Sequence, residues 1–464
     1  MGKGGDAEWR ARMQRLLQKQ QQKQQKRMGD GKARTTASEE SSSSSSSNSP
    51  ESPLPPPPLK EVGDPRSALY ALSESTLRPK PHQRADAAWA FLESVEASQG
   101  RLTLSSFHVV RKIGSGAVAD VYLVSLPGHP KQRFALKVLQ KSKLFKLNKV
   151  KRIVMEHRIL SAMDHPFVVT LYRTFNTAAV VAFLMEHCAY GDMYQHLHRQ
   201  PAFRLSERVA KAYAAQVLCG LQYMHVQGFV YRDLKPENLL LSKQGHVVLS
   251  DFDLSRRAEH ATVRLLDLSQ EDDDARTAHD AGSALALAMG EGLSSASASS
   301  CPGPSAGGSA GGSGGCGAAG GGGLGMRKSR SMPDMLSLCA VPDMRTTSFV
   351  GTDEYIAPEI VKGAGYSSSV DWWSLGILIF EMVYGRTPFE AGGNRSACFK
   401  RIVEEPLVFP TAPKVSKECR DLIACLLRKD PKERLGSTLG ATEVQSHAFF
   451  DDIKWPLLRT RRSQ

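Results

Sequence analysis

The chain has 464 residues, 41% of them hydrophobic and 23% charged, a balance typical of globular proteins and unlike that of wholly disordered or fibrous chains. At roughly 150 residues per domain, the length allows up to about three domains, or one large domain with tails. The 60 Lys and Arg against 47 Asp and Glu give a formal net charge of +13, which favours anionic partners such as phosphates, nucleic acid or inner-leaflet lipid without choosing among them.

No apolar run approaches the roughly 18 residues of a membrane span, and the N-terminus is Gln- and Lys-rich where a signal peptide needs an apolar stretch. An intracellular, non-integral protein is expected. Met1-Gly2 has the form of a myristoylation signal, but Asp6 stands where that signal wants Ser or Thr. The cysteines, at 188, 219, 301, 316, 339, 398, 419 and 425, form no Cys-x-x-Cys pair and no zinc-type spacing with His. Reduced, packed thiols are expected.

Residues 1–106 read as a disordered region: a basic Gln-rich stretch at 10–27, a serine run at 41–47 and prolines at 55–58. None of these buries enough surface to offset ordering entropy. Around Trp9, Met13, Leu16 and Leu17 the interleaved Arg and Lys leave two readings open, a short basic amphipathic helix on anionic lipid or a solvated arm.

From Phe107 the texture changes. Short apolar or alternating runs at 107–113, 118–124 and 134–139, separated by Gly and Pro, predict an antiparallel meander. Over 207–226, Val209, Ala212, Tyr213, Val217, Gly220, Leu221 and Met224 follow three- and four-residue steps behind Ser206 as N-cap, which predicts a helix. The expected fold class is α+β, with a small antiparallel-β lobe carrying one main helix and a larger, mainly helical lobe. A low-complexity block from about 259 to 340 opens on the acidic run 271–274, and 12 of its 19 residues over 307–325 are Gly, so it reads as a flexible insertion. Patterned sequence resumes at Thr346 and continues to Phe450, which makes the block an insertion within a domain; no repeat of solenoid or propeller period is apparent.

Gly114-Ser115-Gly116 falls between two strands, where small residues let backbone N–H groups approach phosphates. Ala119 stands where a third Gly is usual. Ala135-Leu136-Lys137 sets a lysine on the third strand, and Glu156 lies in the helical stretch that follows. Tyr231-Arg232-Asp233-Leu234-Lys235-Pro236-Glu237-Asn238, Asp251-Phe252-Asp253 and Ala357-Pro358-Glu359 complete a set specific in order and spacing. On these motifs the chain resembles eukaryotic protein kinases across residues 107–450, which implies a two-lobed kinase fold with a small lobe over 107–186, a large lobe over 187–450 and a short tail over 451–464.

The resemblance implies transfer of the ATP γ-phosphate, with Mg2+, to Ser or Thr hydroxyls of protein substrates. Gly114, Ser115 and Gly116 would cover the phosphates, Lys137 paired with Glu156 would contact the α/β-phosphates, and Asn238 with Asp251 would hold Mg2+. Asp233 would accept the hydroxyl proton, assisted by Lys235 and Thr352. Adenine would lie against the backbone at Glu186 and Cys188 beside Met185, with Asp192 nearby. Above it stand Ile113, Val121 and Ala135, a trio that reads equally well as plain core.

Finer features resemble the basophilic AGC group: Tyr231 where most kinases have His, and Gly351-Thr352-Asp353-Glu354-Tyr355 before Ala357-Pro358-Glu359. Asp253, the long insertion, Ser250 and Leu254-Ser255 are similar to the plant AGC VIII kinases and fungal flippase-kinase relatives. Pro81-His82 and Trp89 resemble the segment preceding the domain in the plant members. That likeness implies basic residues upstream of the target, met by Asp192, Glu237 and Glu381. It also implies Ser348 as the activation-loop phosphosite, its phosphate paired by Arg152, Arg232 and Arg256, with Arg345 making it a target of the enzyme itself or of an upstream activating kinase. Glu359 with Arg434 reads as a structural ion pair, and Asp371 as a backbone anchor.

Asp253 replaces the Gly that gives most kinases backbone freedom at the metal loop, and a stiffer loop is expected. The chain stops at Gln464 without the Phe-x-x-Phe tail of many AGC kinases. A monomer with no specific nucleic acid is expected, cytoplasmic, with the plasma-membrane periphery and the nucleus as further addresses. The basic runs at 19–26 and 459–462 would contact anionic membrane. Two other readings stand beside the active kinase: a pseudokinase scaffold, which usually lacks the strand Lys, the catalytic-loop Asp or the metal Asp, and an adaptor working through its basic arms.

Overall fold

The computed structural model describes residues 65–70, 72, 80–83, 86–258, 260–267, 336–343, 346 and 350–459. The chain divides into two units, Met1–Val263 with Cys339–Gln464, and Arg264–Leu338. Of the second unit only strand residues at its two ends are described.

Among the described residues, two α-helices precede the first strand, α1 over Pro65–Tyr70 and α2 over Ala87–Gln99. The strands β1 (His108–Ser115), β2 (Ala119–Leu126) and β3 (His129–Gln140) then form the expected antiparallel meander. Helices α3 (Lys141–Lys146) and α4 (Val150–Ala162) follow, and β4 (Leu171–Asn176) and β5 (Val180–Glu186) complete a five-stranded sheet in the order β1-β2-β3-β5-β4. Side chains alternate faces along a strand. Accordingly Phe134, Leu136 and Val138 of β3 join a core with Trp89, Leu92 and Val95 of α2, whereas Leu139 joins a second core with Ile153 and Leu160 of α4.

The packing of α2 corrects the expectation of disorder for the part of 1–106 next to the first strand. Trp89, Leu92 and Val95, spaced by three residues, are 1%, 0% and 4% exposed. Asp86 caps the helix through Ala88 N–H and accepts the Tyr172 hydroxyl at 2.9 Å. The Trp89 indole N–H donates to Gln83 Oε1 at 3.0 Å, and Gln83 donates to Thr170 Oγ1 at 3.2 Å. Just upstream, the Lys80 ammonium donates to the carbonyls of Leu160 in the last turn of α4 and of Met163 just beyond it, and His82 meets Asp164. The basic N-terminal stretch at 10–27 lies outside the described residues.

The large lobe holds α5 (Met193–His198) and α6 (Glu207–Val226), the latter with Ser206 at its N-cap position as expected. Short antiparallel pairs follow, β6 (Phe229–Val230) with β9 (Arg256–Arg257) and β7 (Leu239–Leu241) with β8 (Val247–Leu249). They frame the two loops that carry Asp233 and Asp251. After α7 (Pro358–Val361), the apolar helix α8 (Ser369–Tyr384) runs through the lobe core beside α6 and ahead of α9 (Arg395–Glu404), α10 (Lys417–Leu426) and α11 (Ala441–Gln445).

The insertion begins and ends in structure. Strands β10 (His260–Asp267) and β11 (Leu336–Asp343) form a two-stranded sheet, so patterned chain resumes at Leu336, ahead of Thr346. Cys339 is 3% exposed and its thiol lies 3.0 Å from the Leu439 carbonyl. No helix among the described residues is long and apolar enough to cross a membrane.

Candidate active site

Asp371, completely buried in α8, accepts the backbone N–H groups of Tyr231 at 2.9 Å and Arg232 at 2.7 Å, and His225 Nε2 lies 2.8 Å away. A carboxylate receiving two backbone N–H groups fixes the loop that carries Asp233, which is the anchoring role expected of it. Arg232 sits at φ 68 within this turn, a conformation most residues avoid and that surrounding bonds must hold.

Asp233 is 7% exposed. The Lys235 ammonium lies 3.0 Å from both of its carboxylate oxygens and 2.9 Å from Thr352 Oγ1, and the Asn238 amide donates to its side chain at 2.7 Å. Burial pushes the Asp233 carboxyl up to about 6 against the pull of Lys235, and the charge of Asp251 adds to the rise. Thr352 reaches Lys235 because Gly351 turns the chain at φ +118; a Cβ there would also press to 3.2 Å from Ile356 Cγ1.

Across from this group, the Lys137 ammonium bonds Glu156 at 2.5 Å and lies 3.3 Å from Asp251. Burial disfavours the charged lysine, but the two carboxylates outweigh it and hold Lys137 above its ordinary value. Lys137 in turn holds Asp251 below the usual carboxylate range. Asp251 is the residue of the Asp-Phe-Asp triplet in a left-handed conformation, at φ 53. Asp253 is not; it faces Lys149 at 3.8 Å and Arg152 at 3.9 Å from the start of α4. The Asp thus brings a charge contact between the Asp-Phe-Asp loop and the helix, not a backbone accommodation at position 253. Tyr231, fully buried, donates to the Ser250 carbonyl and packs edge-on to Phe252.

At the nucleotide end, Gly114 pairs with Val121, and Ala135 pairs with Met185. Ile113 is 36% exposed whereas Ala135 and Cys188 are buried. The Ser115 hydroxyl donates to Asp120 and the Gly116 N–H to the Ala119 carbonyl, closing the turn. Burial raises Glu186 to about 7, with Asp86 adding to the rise.

The chain matches the protein kinase domain over residues 107–269 and 336–450. It belongs to the protein kinase family. It is 37% identical over 396 residues to the serine/threonine-protein kinase AGC1-5 of Arabidopsis thaliana, covering 84% of this chain and 65% of that protein. To another serine/threonine-protein kinase of Arabidopsis thaliana it is 40% identical over 383 residues, 82% of this chain and 73% of the relative. The serine/threonine-protein kinase nrc-2 of Neurospora crassa is 38% identical over 357 residues, 76% of this chain and 48% of its own length. The chain is thus AGC-like, as its motifs suggest, and it spans 65% of the first-ranked plant relatives' length.

The remaining candidates have the following surroundings. Asp192 caps α5 through the Gln195 N–H at 2.7 Å and also holds the Gln195 side chain. Glu381 accepts the Tyr355 hydroxyl, and its carboxyl is pushed up to about 7 by burial, with the charges of Glu237 and Glu354 adding. Glu354 thus joins Glu237 and Glu381 in the acidic group expected with Asp192. Glu354, bonded by Thr387 at 2.8 Å, was not among the sequence candidates because a single acid in a loop carries no periodic signal.

In the activation segment, Arg232 donates to the Leu254 carbonyl at 2.7 Å and the Tyr366 hydroxyl at 3.0 Å, while Arg256 donates to Thr346 at 3.1 Å. Thr346 and Tyr366 form a β-bridge, which brings the two arginines to one site. Arg152 lies 3.9 Å from Asp253. Ser348 and Arg345 lie outside the described residues. The expected Glu359–Arg434 pair is bidentate and buried, at 2.7 and 2.8 Å.

Asp421, Cys425 and His447 offer ligand atoms within 4.8 Å of one another. The His447 Nδ1 accepts the Phe449 N–H at 3.1 Å, which leaves the ring proton on Nε2 facing Asp421. The trio is a histidine–carboxylate hydrogen bond beside a thiol that burial keeps protonated, and not a metal centre.

Proposed function

We propose that this chain is an active serine/threonine protein kinase that transfers the ATP γ-phosphate, with Mg2+, to Ser or Thr hydroxyls preceded by basic residues. The observation that carries the reading is the single Lys235 ammonium bonding Asp233 and Thr352 together while the Lys137–Glu156 pair is already formed. Phosphoryl transfer asks the protein mainly for positioning and charge neutralisation. Asp233 takes the substrate hydroxyl proton, Lys235 stands at the γ-phosphate, and Lys137 meets the α/β-phosphates. A scaffold without chemistry has no use for this arrangement.

The carboxylates of Glu156, Asp233 and Asp251 outnumber the ammonium groups of Lys137 and Lys235 around the site, so a cation fits. Asp251, ionised and 47% exposed, and Asn238 supply the hard oxygen donors Mg2+ prefers. When bound, the metal would offset the charge of the phosphates.

Glu237, Glu354 and Glu381 support a preference for Arg or Lys before the target. Incubating the chain with labelled ATP and a degenerate peptide library tests both halves of the reading. Basic residues should be selected, and Glu381→Gln should weaken that selection at one position. A library phosphorylated without any basic bias would overturn the substrate half, and no phosphorylation at all the kinase half.

Ser348 remains the proposed phosphosite, with Arg152, Arg232 and Arg256 as its partners. A phosphate brings about −1.5 to −2 charges at pH 7, which suits two guanidiniums drawn together. Peptide mass spectrometry should find it in active enzyme, from autophosphorylation or an upstream kinase; full activity with unmodified Ser348 would count against it. The same reading includes a cytoplasmic monomer with peripheral plasma-membrane and nuclear addresses, contacting anionic lipid through its basic arms. Arg459 of the C-terminal arm is within 3.1 Å of the His82 carbonyl.

A further inference from the structure

The N-terminus of α4 carries the wrong charge for a helix. Lys149 stands at its N-cap position without a side-chain cap, Lys151 and Arg152 follow in the first turn, and that turn holds no acidic residue. The N-terminal end of a helix bears partial positive charge and favours anions, so these cations repel it and one another. A carboxylate meets them from outside the helix. Asp253 Oδ2 lies 3.8 Å from the Lys149 ammonium and 3.9 Å from the Arg152 guanidinium.

Arg152 and Glu156 are four residues apart and share one face of α4, about 6 Å apart along its axis. Glu156 bonds Lys137 at 2.5 Å, and Lys137 lies 3.3 Å from Asp251. The Asp253 N–H faces the Asp251 carboxylate and favours its charge, while the Asp253 side chain returns to Arg152. The contacts close a ring. The buried Ile153, Ile159 and Leu160 seat α4 in the core, but apolar packing is non-directional and does not by itself fix how the helix is turned. Held at Glu156 alone, the helix can pivot about that point; held again one turn earlier, it cannot.

We infer that Asp253 is a positioning residue for phosphoryl transfer: its carboxylate supplies the counter-charge that the basic end of α4 lacks, and so holds the helix where Glu156 reaches Lys137. Gly, which stands here in most kinases, offers no such contact. Arg152 has enough N–H donors to serve Asp253 and the phosphate proposed on Ser348 together. The effect on turnover rests on the kinase reading; the hold on α4 does not.

The test compares, in the full chain, Asp253→Asn, which keeps the shape and loses the charge, with Asp253→Glu, which keeps the charge. In the Asn variant kcat/KM for peptide phosphorylation should fall about fivefold, the upper range for a partly exposed charge contact, whereas the Glu variant should stay near wild type. If Asp253→Asn has lost its cooperative melt, Arg152→Gln takes its place, with a smaller loss expected because Lys149 remains. The deciding comparison adds Asp253→Asn to Glu156→Ala, at raised enzyme concentration. There it should cost nothing further, since Asp253 acts through Glu156. An equal loss in that background would place its effect on the metal loop and overturn the inference, as would undiminished kcat/KM in the Asn variant or a Glu variant no better than Asn. Hydrogen exchange reads the hold on α4 without catalysis. Amides over 153–160 should exchange faster in Asp253→Asn than in wild type, and equal exchange would overturn the positioning. A wild-type chain that phosphorylates nothing yet shows this difference in exchange would defeat the kinase reading alone.

Discussion

At the scale of the residue, the proposed role of Asp233 as proton acceptor requires that it first lose its own proton. Its burial lifts the carboxyl to about 6, well above the ordinary Asp value near 3.9. Below that pH the group carries a proton and cannot accept the substrate's, so activity is present above about 6 and is lost as pH falls through it. A kcat/KM profile for peptide phosphorylation should therefore show an acid limb near pH 6, and a rate that stays level down to pH 4.5 would contradict the assignment. The elevated value also gives the base more strength than an exposed carboxylate, which suits a hydroxyl substrate. Asp251 is displaced the other way by Lys137, so the two carboxylates of the site are separated in protonation by their surroundings.

At the scale of the element, the small lobe depends on a helix outside the family match. Trp89 fills the outer core of the sheet, with Tyr172 edge-on at 5.3 Å and the Arg173 guanidinium 5.1 Å from its ring. Trp89→Ala removes a buried aromatic side chain and strands Gln83, at a cost of about 3–5 kcal/mol. Urea unfolding should show that loss; a change below about 1 kcal/mol would mean α2 is dispensable. The strands of the meander and the helix over 207–226 were legible because long alternation and three-four periodicity are strong local signals. Helix α2 was not read, because its stripe of Trp89, Leu92 and Val95 is short and follows Ser- and Pro-rich sequence. The ends of the insertion were missed for the same reason. Leu336 to Val341 alternates apolar and small residues at the edge of a Gly-rich block, and its partner strand is distant in sequence. Within the site, motif residues such as Lys137, Glu156, Asp233 and Asn238 were legible through the resemblance that their motifs carry. Glu354, the cap made by Asp192 and the Asp253–Arg152 contact were not, since each depends on which loops the fold brings together.

At the scale of the whole molecule, the groups proposed to act on ATP and substrate come from segments far apart in the chain: Lys137 from β3, Glu156 from α4, Asp233 and Asp251 from loops framed by short strand pairs, and Thr352 from beyond the insertion. Asp371 and the Glu359–Arg434 pair fix the large-lobe parts, while α2 braces the small-lobe parts. The central claim is that Asp233 performs the proton transfer in a site otherwise built to hold ATP. The direct measurement is Asp233→Asn, followed in parallel by phosphorylation of a basic peptide and by binding of a fluorescent ATP analogue. Asn fills the same space but cannot accept the proton, so turnover should fall by about 10²–10⁴-fold while nucleotide affinity stays within a few-fold of wild type. Wild-type turnover in the Asn variant would contradict the account.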